Sequence, residues 1–177
     1  LSLGTANITA YVTNPVIVDS TQKLKNGGGS FDFAGGITLK SGSELVGQGQ
    51  EISGNISLSG GKLSIAQDTI FADNLAISAG STINIDALKT LTYDGATVGI
   101  GAAVLKIQGG GTFINTESTE LKLNSANSNL VLDNVTVAYV SVSAASNSNK
   151  GLVVSADSTL TNLSLAQKLR LSVAAEK

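Results

Sequence analysis

Residues 74–83 read NLAISAGSTI, a stretch in which apolar side chains alternate with small or polar ones on both sides of an Ala-Gly-Ser corner. This alternation is the period of a half-buried β-strand, because successive side chains of a strand point to opposite faces. Glycine and serine favour a sharp change of direction through left-handed backbone angles and local hydrogen bonds. The stretch therefore predicts a strand, a corner and a second strand, with Leu75, Ile77 and Ile83 facing inward.

The same pattern recurs along the chain. Residues 36–45 (GITLKSGSEL) and 151–160 (GLVVSADSTL) align with residues 74–83, and a looser copy, GTFINTESTEL, begins at Gly111. Further units begin at Pro15 and Asn55, and weaker ones at Thr90, Asn129 and Lys168. The mean step between units is about 19 residues, and a period of this length is the signature of stacked repeats.

Two or three short strands with their corners fill one such period, which corresponds to one coil of a parallel β-solenoid. We therefore predict an all-β fold, a single-stranded parallel β-helix that is right-handed, with about nine coils of roughly 19 residues. A β-sandwich needs longer strands and hairpins, and a left-handed β-helix needs a sustained hexapeptide rhythm that this chain does not keep. We expect one domain over residues 1–177, with a helical or capping turn possible only in residues 165–177.

Composition excludes several classes of site. The chain has no Cys and no His, so thiolate and imidazole metal sites and His-based acid–base catalysis are excluded. Its net charge is −2 and Arg170 is its single arginine, which argues against a nucleic-acid partner. Its apolar runs are too short to span a membrane as a helix. We expect neither a cofactor nor a metal.

Five asparagines each precede an apolar–small–apolar triplet, which predicts a ladder of stacked amides at one corner. They are Asn7, Asn55, Asn74, Asn134 and Asn162. All except Asn74 also begin an N-x-S/T sequon. Because strands of this composition place Ser or Thr between apolar residues, we favour a structural role for these asparagines over glycosylation.

Carboxylates are the candidates for catalysis. Asp68 and Asp73 flank a short apolar stretch, and Glu117 and Glu120 lie near a corner. A glycosidase needs two carboxylates about 5 to 10 Å apart over a groove. It usually also needs a basic or aromatic platform, whereas this chain has no Trp and three Tyr. We therefore predict no enzymatic activity and no catalytic residue, with these acids on solvent-facing surfaces.

The glycine runs at 27–29 and 109–111 are not followed by the Lys-Ser/Thr pair or the helix that a phosphate loop requires. They are predicted to be corners, like Gly60-Gly61, since each leads into a strand. Thr90 and Thr92 would matter for an ice-binding ladder, but we expect no recurrence of this pair in register from coil to coil. The four phenylalanines are predicted to stack in the interior: Phe31, Phe33, Phe71 and Phe113.

Units such as GITLKSGSEL, NLAISAGSTI and GLVVSADSTL resemble the β-helical stalks of bacterial surface proteins, namely autotransporter passengers and filamentous-haemagglutinin-type adhesins. The resemblance covers the chain from Pro15 onward and concerns architecture, so it transfers no site residue. It implies an exported, extracellular rod without catalytic activity, used for adhesion or as a surface scaffold.

The chain begins at Leu1 and carries no recognisable polar cap, and uncapped coils expose unpaired strand edges. We expect a segment of a longer protein whose edges are covered by adjoining coils, by an unrecognised cap or by another copy stacked end to end. The leading function is a structural or adhesive solenoid of a cell-surface or filament-forming protein, with a glycan or surface receptor as partner. The alternative is a carbohydrate-binding β-helix, with carbohydrate-active enzymes ranked lower.

Overall fold

The computed structural model describes residues 9–25, 27–95, 97–116, 120–144, 151–155, 157–166 and 169–173. Within these residues the chain forms 22 strands and no helix. The strands pair in parallel with strands one turn away along the chain. The protein is therefore an all-β parallel β-solenoid, which confirms the fold class predicted from the repeats.

Each turn contributes one strand to each of three stacks, which we call sheets I, II and III; β4 and β6 continue from sheet III into sheet I. Sheet I contains β2 (Val16–Val18), the ends of β4 (Ser30–Lys40) and β6 (Glu51–Ser59), β9 (Leu75–Ala79), β12 (Thr97–Ile100), β15 (Glu120–Leu123), β18 (Ser141–Ala144) and β21 (Ser164–Leu165). Sheet II contains β3 (Lys23–Lys25), β5 (Glu44–Gln48), β7 (Lys62–Gln67), β10 (Ser81–Ile85), β13 (Val104–Gln108), β16 (Asn129–Asp133), β19 (Gly151–Val154) and β22 (Leu171–Val173). Sheet III contains β1 (Thr9–Tyr11), the starts of β4 and β6, β8 (Thr69–Phe71), β11 (Thr90–Tyr93), β14 (Thr112–Asn115), β17 (Thr136–Ala138) and β20 (Thr159–Thr161).

The solenoid has about seven turns, so the predicted count of nine coils is wrong. The step between paired residues varies with the length of the corners: Leu45 pairs with Leu63, whereas Leu105 pairs with Leu130. The units at Thr90 and Asn129 also belong to sheets III and II, whereas the unit at Asn74 begins a strand of sheet I. The predicted 19-residue series therefore combined units that belong to different sheets. With strands about 4.8 Å apart, seven turns give a rod about 34 Å long.

The predicted alternation of inward and outward side chains is confirmed in the clearest unit. Leu75 and Ile77 are each 2% exposed, whereas Ala76 and Ser78 between and after them are exposed. The core position of Ile77 is occupied by an apolar residue in each neighbouring turn, because parallel pairing brings equivalent positions of successive strands into contact. The resulting column of the core contains Val18, Leu39, Leu58, Ile77, Ile100 and Leu123.

Aromatic rings fill the interior behind sheet III, and the prediction that all four phenylalanines are buried is confirmed. The ring centroids of Phe71 and Tyr93 are 5.5 Å apart, and those of Tyr93 and Phe113 are 6.1 Å apart. The Tyr93 hydroxyl donates a hydrogen bond to the Thr97 carbonyl at 2.9 Å. Burial, reinforced by the charge of Asp73, raises the pKa of Tyr93 to about 12. Tyr93 thus completes an aromatic stack that the sequence did not reveal.

The predicted glycine corners are confirmed. Gly28, Gly60 and Gly110 have φ angles of +92°, +92° and +81°, in the left-handed region where glycine is favoured. Each of these glycines precedes a strand.

The single candidate for a helical or capping turn, residues 165–177, contains strand and no helix where it is described. Residues 171–173 form β22, which pairs in parallel with β19 and extends sheet II by one strand. Residues 167–168 and 174–177, also part of that prediction, lie outside the described residues.

Candidate binding faces

The outer face of sheet I carries small side chains in its middle turns. Thr38, Ser57, Ala76 and Gly99 occupy the same position in four successive turns. Beside them lies an open groove of about 440 Å³, whose lining includes Pro15, Ile17, Gly36, Asn55 and Asn74. The groove crosses the strands, so it presents similar groups about every 4.8 Å along the rod.

Asn55 and Asn74 form an amide ladder at the edge of this groove. The Asn74 side-chain amide donates a hydrogen bond to Asn55 Oδ1 at 3.2 Å. The prediction of one five-membered ladder is wrong. Asn134 lies at the corner between sheets II and III. Asn162 lies at the same corner between sheets III and I as Asn55 and Asn74, but Ser164 and not Asn162 occupies their position in its turn. Asn134 and Asn162 both adopt left-handed angles, with φ of +50° and +51°. Asn7 lies outside the described residues.

The predicted carboxylate candidates bind the backbone of neighbouring turns. Asp68 Oδ1 accepts a hydrogen bond from the Thr90 amide at 2.8 Å, one turn later. Asp73 Oδ2 accepts one from the Gly54 amide at 2.7 Å, one turn earlier. The two residues lie at opposite ends of β8 and bond in opposite directions along the rod.

The second pair of acids is divided between described and undescribed parts of the chain. Glu120 accepts a hydrogen bond from Ser143 Oγ at 2.5 Å, whereas Glu117 lies outside the described residues. Among the residues that the structure describes, no group of three or more Asp or Glu side chains could hold a metal ion.

Sheet II carries a charged cluster on its outer face, which we call the Glu44 cluster. Glu44 lies between Lys23 and Lys62, with N–O distances of 2.6 Å and 3.7 Å, and accepts a hydrogen bond from Ser64 Oγ at 2.5 Å. Burial by itself raises the pKa of Glu44, but the hydrogen bonds from Lys23 and Ser64 and the two lysine charges outweigh it. The net result is a lowered pKa.

We expect the Glu44 cluster to stabilise the fold at neutral pH and not in acid. A carboxylate whose pKa is lowered in the folded state stabilises it above the unfolded pKa, and this contribution is lost as the pH falls through the folded pKa. Glu44→Gln should therefore lower the melting temperature at about pH 7 but have little effect at about pH 3. Thermal melts of both proteins at the two pH values measure this. A difference that does not change with pH would contradict an ionic role for Glu44.

Threonines recur in register on the outer face of sheet III, contrary to the expectation from the sequence. Thr90 pairs with Thr112, Thr112 with Thr136, and Thr136 with Thr159. We call these four residues the threonine ladder. A search for the triplets TLT, TFI, TVA and TLT at unequal steps would have found it, whereas a fixed step of 19 residues misses it.

The row next to the threonine ladder is mixed. Thr92 and Thr161 occupy this row in the first and last of the four turns. The two turns between them carry Ile114 and Ala138 at this position. The second threonine of the predicted pair therefore recurs only partly.

The last described turn exposes apolar side chains that continue core columns. Leu171 pairs with Leu152 and Val173 with Val154, yet Leu171 and Val173 are 49% and 70% exposed. Leu152 and Val154 are buried. The core side chains of β22, the last described strand of sheet II, are therefore solvent-exposed, whereas those of the neighbouring strand β19 are buried.

No described segment forms a helix long and apolar enough to cross a membrane. Comparison with known proteins identifies no relative: no family model, curated protein or solved structure matches the chain.

Proposed function

We propose that this chain is an extracellular structural or adhesive rod at a cell surface, without catalytic activity. The proposal is supported mainly by the polar side chains that form hydrogen bonds between adjacent turns. Asp68 and Asp73 each accept a backbone hydrogen bond from an adjacent turn, and Asn55 bonds to Asn74. In a solenoid each turn contacts only its neighbours, so further turns can be added without altering those already present. This property is compatible with an elongated stalk.

Exposed apolar side chains on the last described strand support end-to-end association of this rod. Leu171 and Val173 extend core columns of sheet II, and β3 is the first described strand of the same sheet. In β3, the half-buried Leu24 occupies the column that ends at Val173. A second copy stacked with β3 against β22 would bury apolar surface and pair two free strand edges. The same contacts could be made by adjoining coils of a longer protein.

The association is tested by light scattering and electron microscopy of the purified chain over a range of concentrations. We expect wild-type rods longer than about 34 Å, the length of seven turns. Val173→Asp should shorten them to single units, because it places a charge in the apolar contact. Ser172→Asp, on the outer side of the same strand, is the matched control and should still assemble. A wild-type protein that stays monomeric throughout would refute end-to-end association.

Carbohydrate binding is the second candidate, and the sheet I groove favours it. Hydroxyls of Thr38 and Ser57 and amides of Asn55 and Asn74 border a floor that is small at Ala76. These neutral hydrogen-bonding groups repeat along the groove, as the hydroxyls of a neutral polysaccharide repeat along its chain. The proposed ligand is therefore an uncharged, linear glycan lying along the rod.

A glycan array tests the groove with one variant and one control. Ala76→Arg fills the groove from an exposed, outward position and should abolish binding of the glycan. Val153→Arg, on the outer face of sheet II, adds the same side chain elsewhere and should preserve binding. No binding by the wild type would refute this candidate. Turnover of a bound polysaccharide that is lost on substitution of Asp68 or Asp73 would instead show an enzyme.

A further inference from the structure

The threonine ladder follows strands whose register is uninterrupted. Its four members lie in successive turns, and the pairings that join β11, β14, β17 and β20 contain no register shift. The pairings between β4 and β6 and between β5 and β7 are interrupted by irregularities. The ladder therefore lies on a straight row with one hydroxyl and one methyl group about every 4.8 Å.

The ladder hydroxyls are not used to hold the fold. Among the described residues, Thr90, Thr112, Thr136 and Thr159 make no side-chain hydrogen bond to protein. Other threonines of the same sheet differ: Thr69 Oγ1 donates to the Gln67 carbonyl at 2.8 Å, and Thr116 Oγ1 donates to Asp94. The four ladder hydroxyls are therefore available to an external partner.

Aromatic rings pack behind the first turns of the ladder, whose own four side chains are uncharged. Phe71, Tyr93 and Phe113 stack directly behind it, which limits movement of the strands. Asp68, the nearest acid at its first turn, is already bonded to the Thr90 amide. A charged ligand would find no opposite charge in the ladder, so the ladder favours a neutral partner with hydrogen-bonding groups at a regular spacing.

We propose that the threonine ladder binds ice. Its hydroxyls repeat about every 4.8 Å along the rod, and Thr92 and Thr161 lie two residues along the strand, about 6.6 Å from the first row. Only the first spacing repeats from turn to turn, and it is close to a repeat distance between oxygen atoms in hexagonal ice. The methyl groups of the ladder, with Ile114 in the second row, displace disordered water while the hydroxyls bond to the lattice. The inference goes beyond the proposed rod function and does not depend on it.

Thermal hysteresis and partition of the purified chain into growing ice test this inference. The wild type should lower the freezing point below the melting point and enrich in the ice fraction. Thr112→Arg and Thr136→Arg, which place long charged side chains across the ladder, should lose most of both effects. Val153→Arg introduces the same side chain from a residue of similar shape on sheet II and should retain them.

If the arginine variants fold poorly, a conservative substitution still tests the role of the ladder hydroxyls. Thr112→Val preserves the shape of the side chain and removes only its hydroxyl, so it should fold like the wild type and show reduced thermal hysteresis. Wild-type activity no greater than that of an unrelated protein at equal concentration would overturn the inference. Full activity in correctly folded Thr112→Arg and Thr136→Arg would also overturn it. Rod assembly, followed by light scattering, should be the same in all ladder variants.

Discussion

Ile77→Asp is expected to unfold the protein or to open its middle turns. Ile77 is 2% exposed and pairs with Leu58 in the turn before and with Ile100 in the turn after, both of which are fully buried. A carboxylate at this position loses its hydration, and the removal of the isoleucine also leaves apolar neighbours without contacts. The combined loss should be about 4 kcal/mol or more, which is a large part of the stability of a domain of this size.

Ser78→Asp is the control for this prediction, since it adds the same side chain one residue further along. Ser78 is exposed on the outer face, and its hydroxyl makes only a long contact of 3.5 Å to the Leu58 carbonyl. Its substitution should change the melting temperature little, because an exposed carboxylate keeps its hydration. Thermal melts of Ile77→Asp and Ser78→Asp compare the loss of stability caused by a carboxylate at the inward and at the outward position. Equal destabilisation would mean that the inward and outward positions of β9 are wrongly assigned.

Gly54→Ala is expected to destabilise the protein strongly. Gly54 has a φ angle of +92°, and a Cβ added there would lie 2.2 Å from the Phe33 carbonyl oxygen. Phe33 pairs with Gly54 between β4 and β6, so the collision separates two strands of sheet III. Left-handed strain costs about 1–2 kcal/mol, and we expect displacement of the paired backbone to add at least as much.

Gly28→Ala separates the two contributions. Gly28 has the same φ angle of +92°, but an added Cβ there meets no atom within 4 Å. This variant should therefore show the conformational strain alone, about 1–2 kcal/mol. Urea unfolding of both variants gives the two free energies of unfolding. If they are equal, the close approach at Gly54 does not contribute to stability.

The asparagine and threonine ladders show which contacts between turns a local sequence pattern can predict. The triplets that follow Asn55 and Asn74 predicted the amide hydrogen bond between them, one turn apart. The same pattern wrongly placed Asn134, which lies at another corner, and Asn162, which is out of register, in that ladder. Thr90 was noticed, yet its partners Thr112, Thr136 and Thr159 were missed because their spacing departs from the assumed period. A ladder depends on which residues share a column, and that depends on the length of every corner between them.

Local sequence patterns predicted strands and corners in the repeat units, together with the inward positions of the clearest unit. These features are local: alternation over a few residues places Leu75 and Ile77 inside, and glycine permits corners such as that at Gly28. Only the tertiary structure decided the number of turns, the position of Tyr93 in the aromatic stack and the partners within each ladder. A solenoid accepts turns of unequal length as long as apolar columns stay in contact, so the register between turns follows from packing along the whole rod and not from a fixed period.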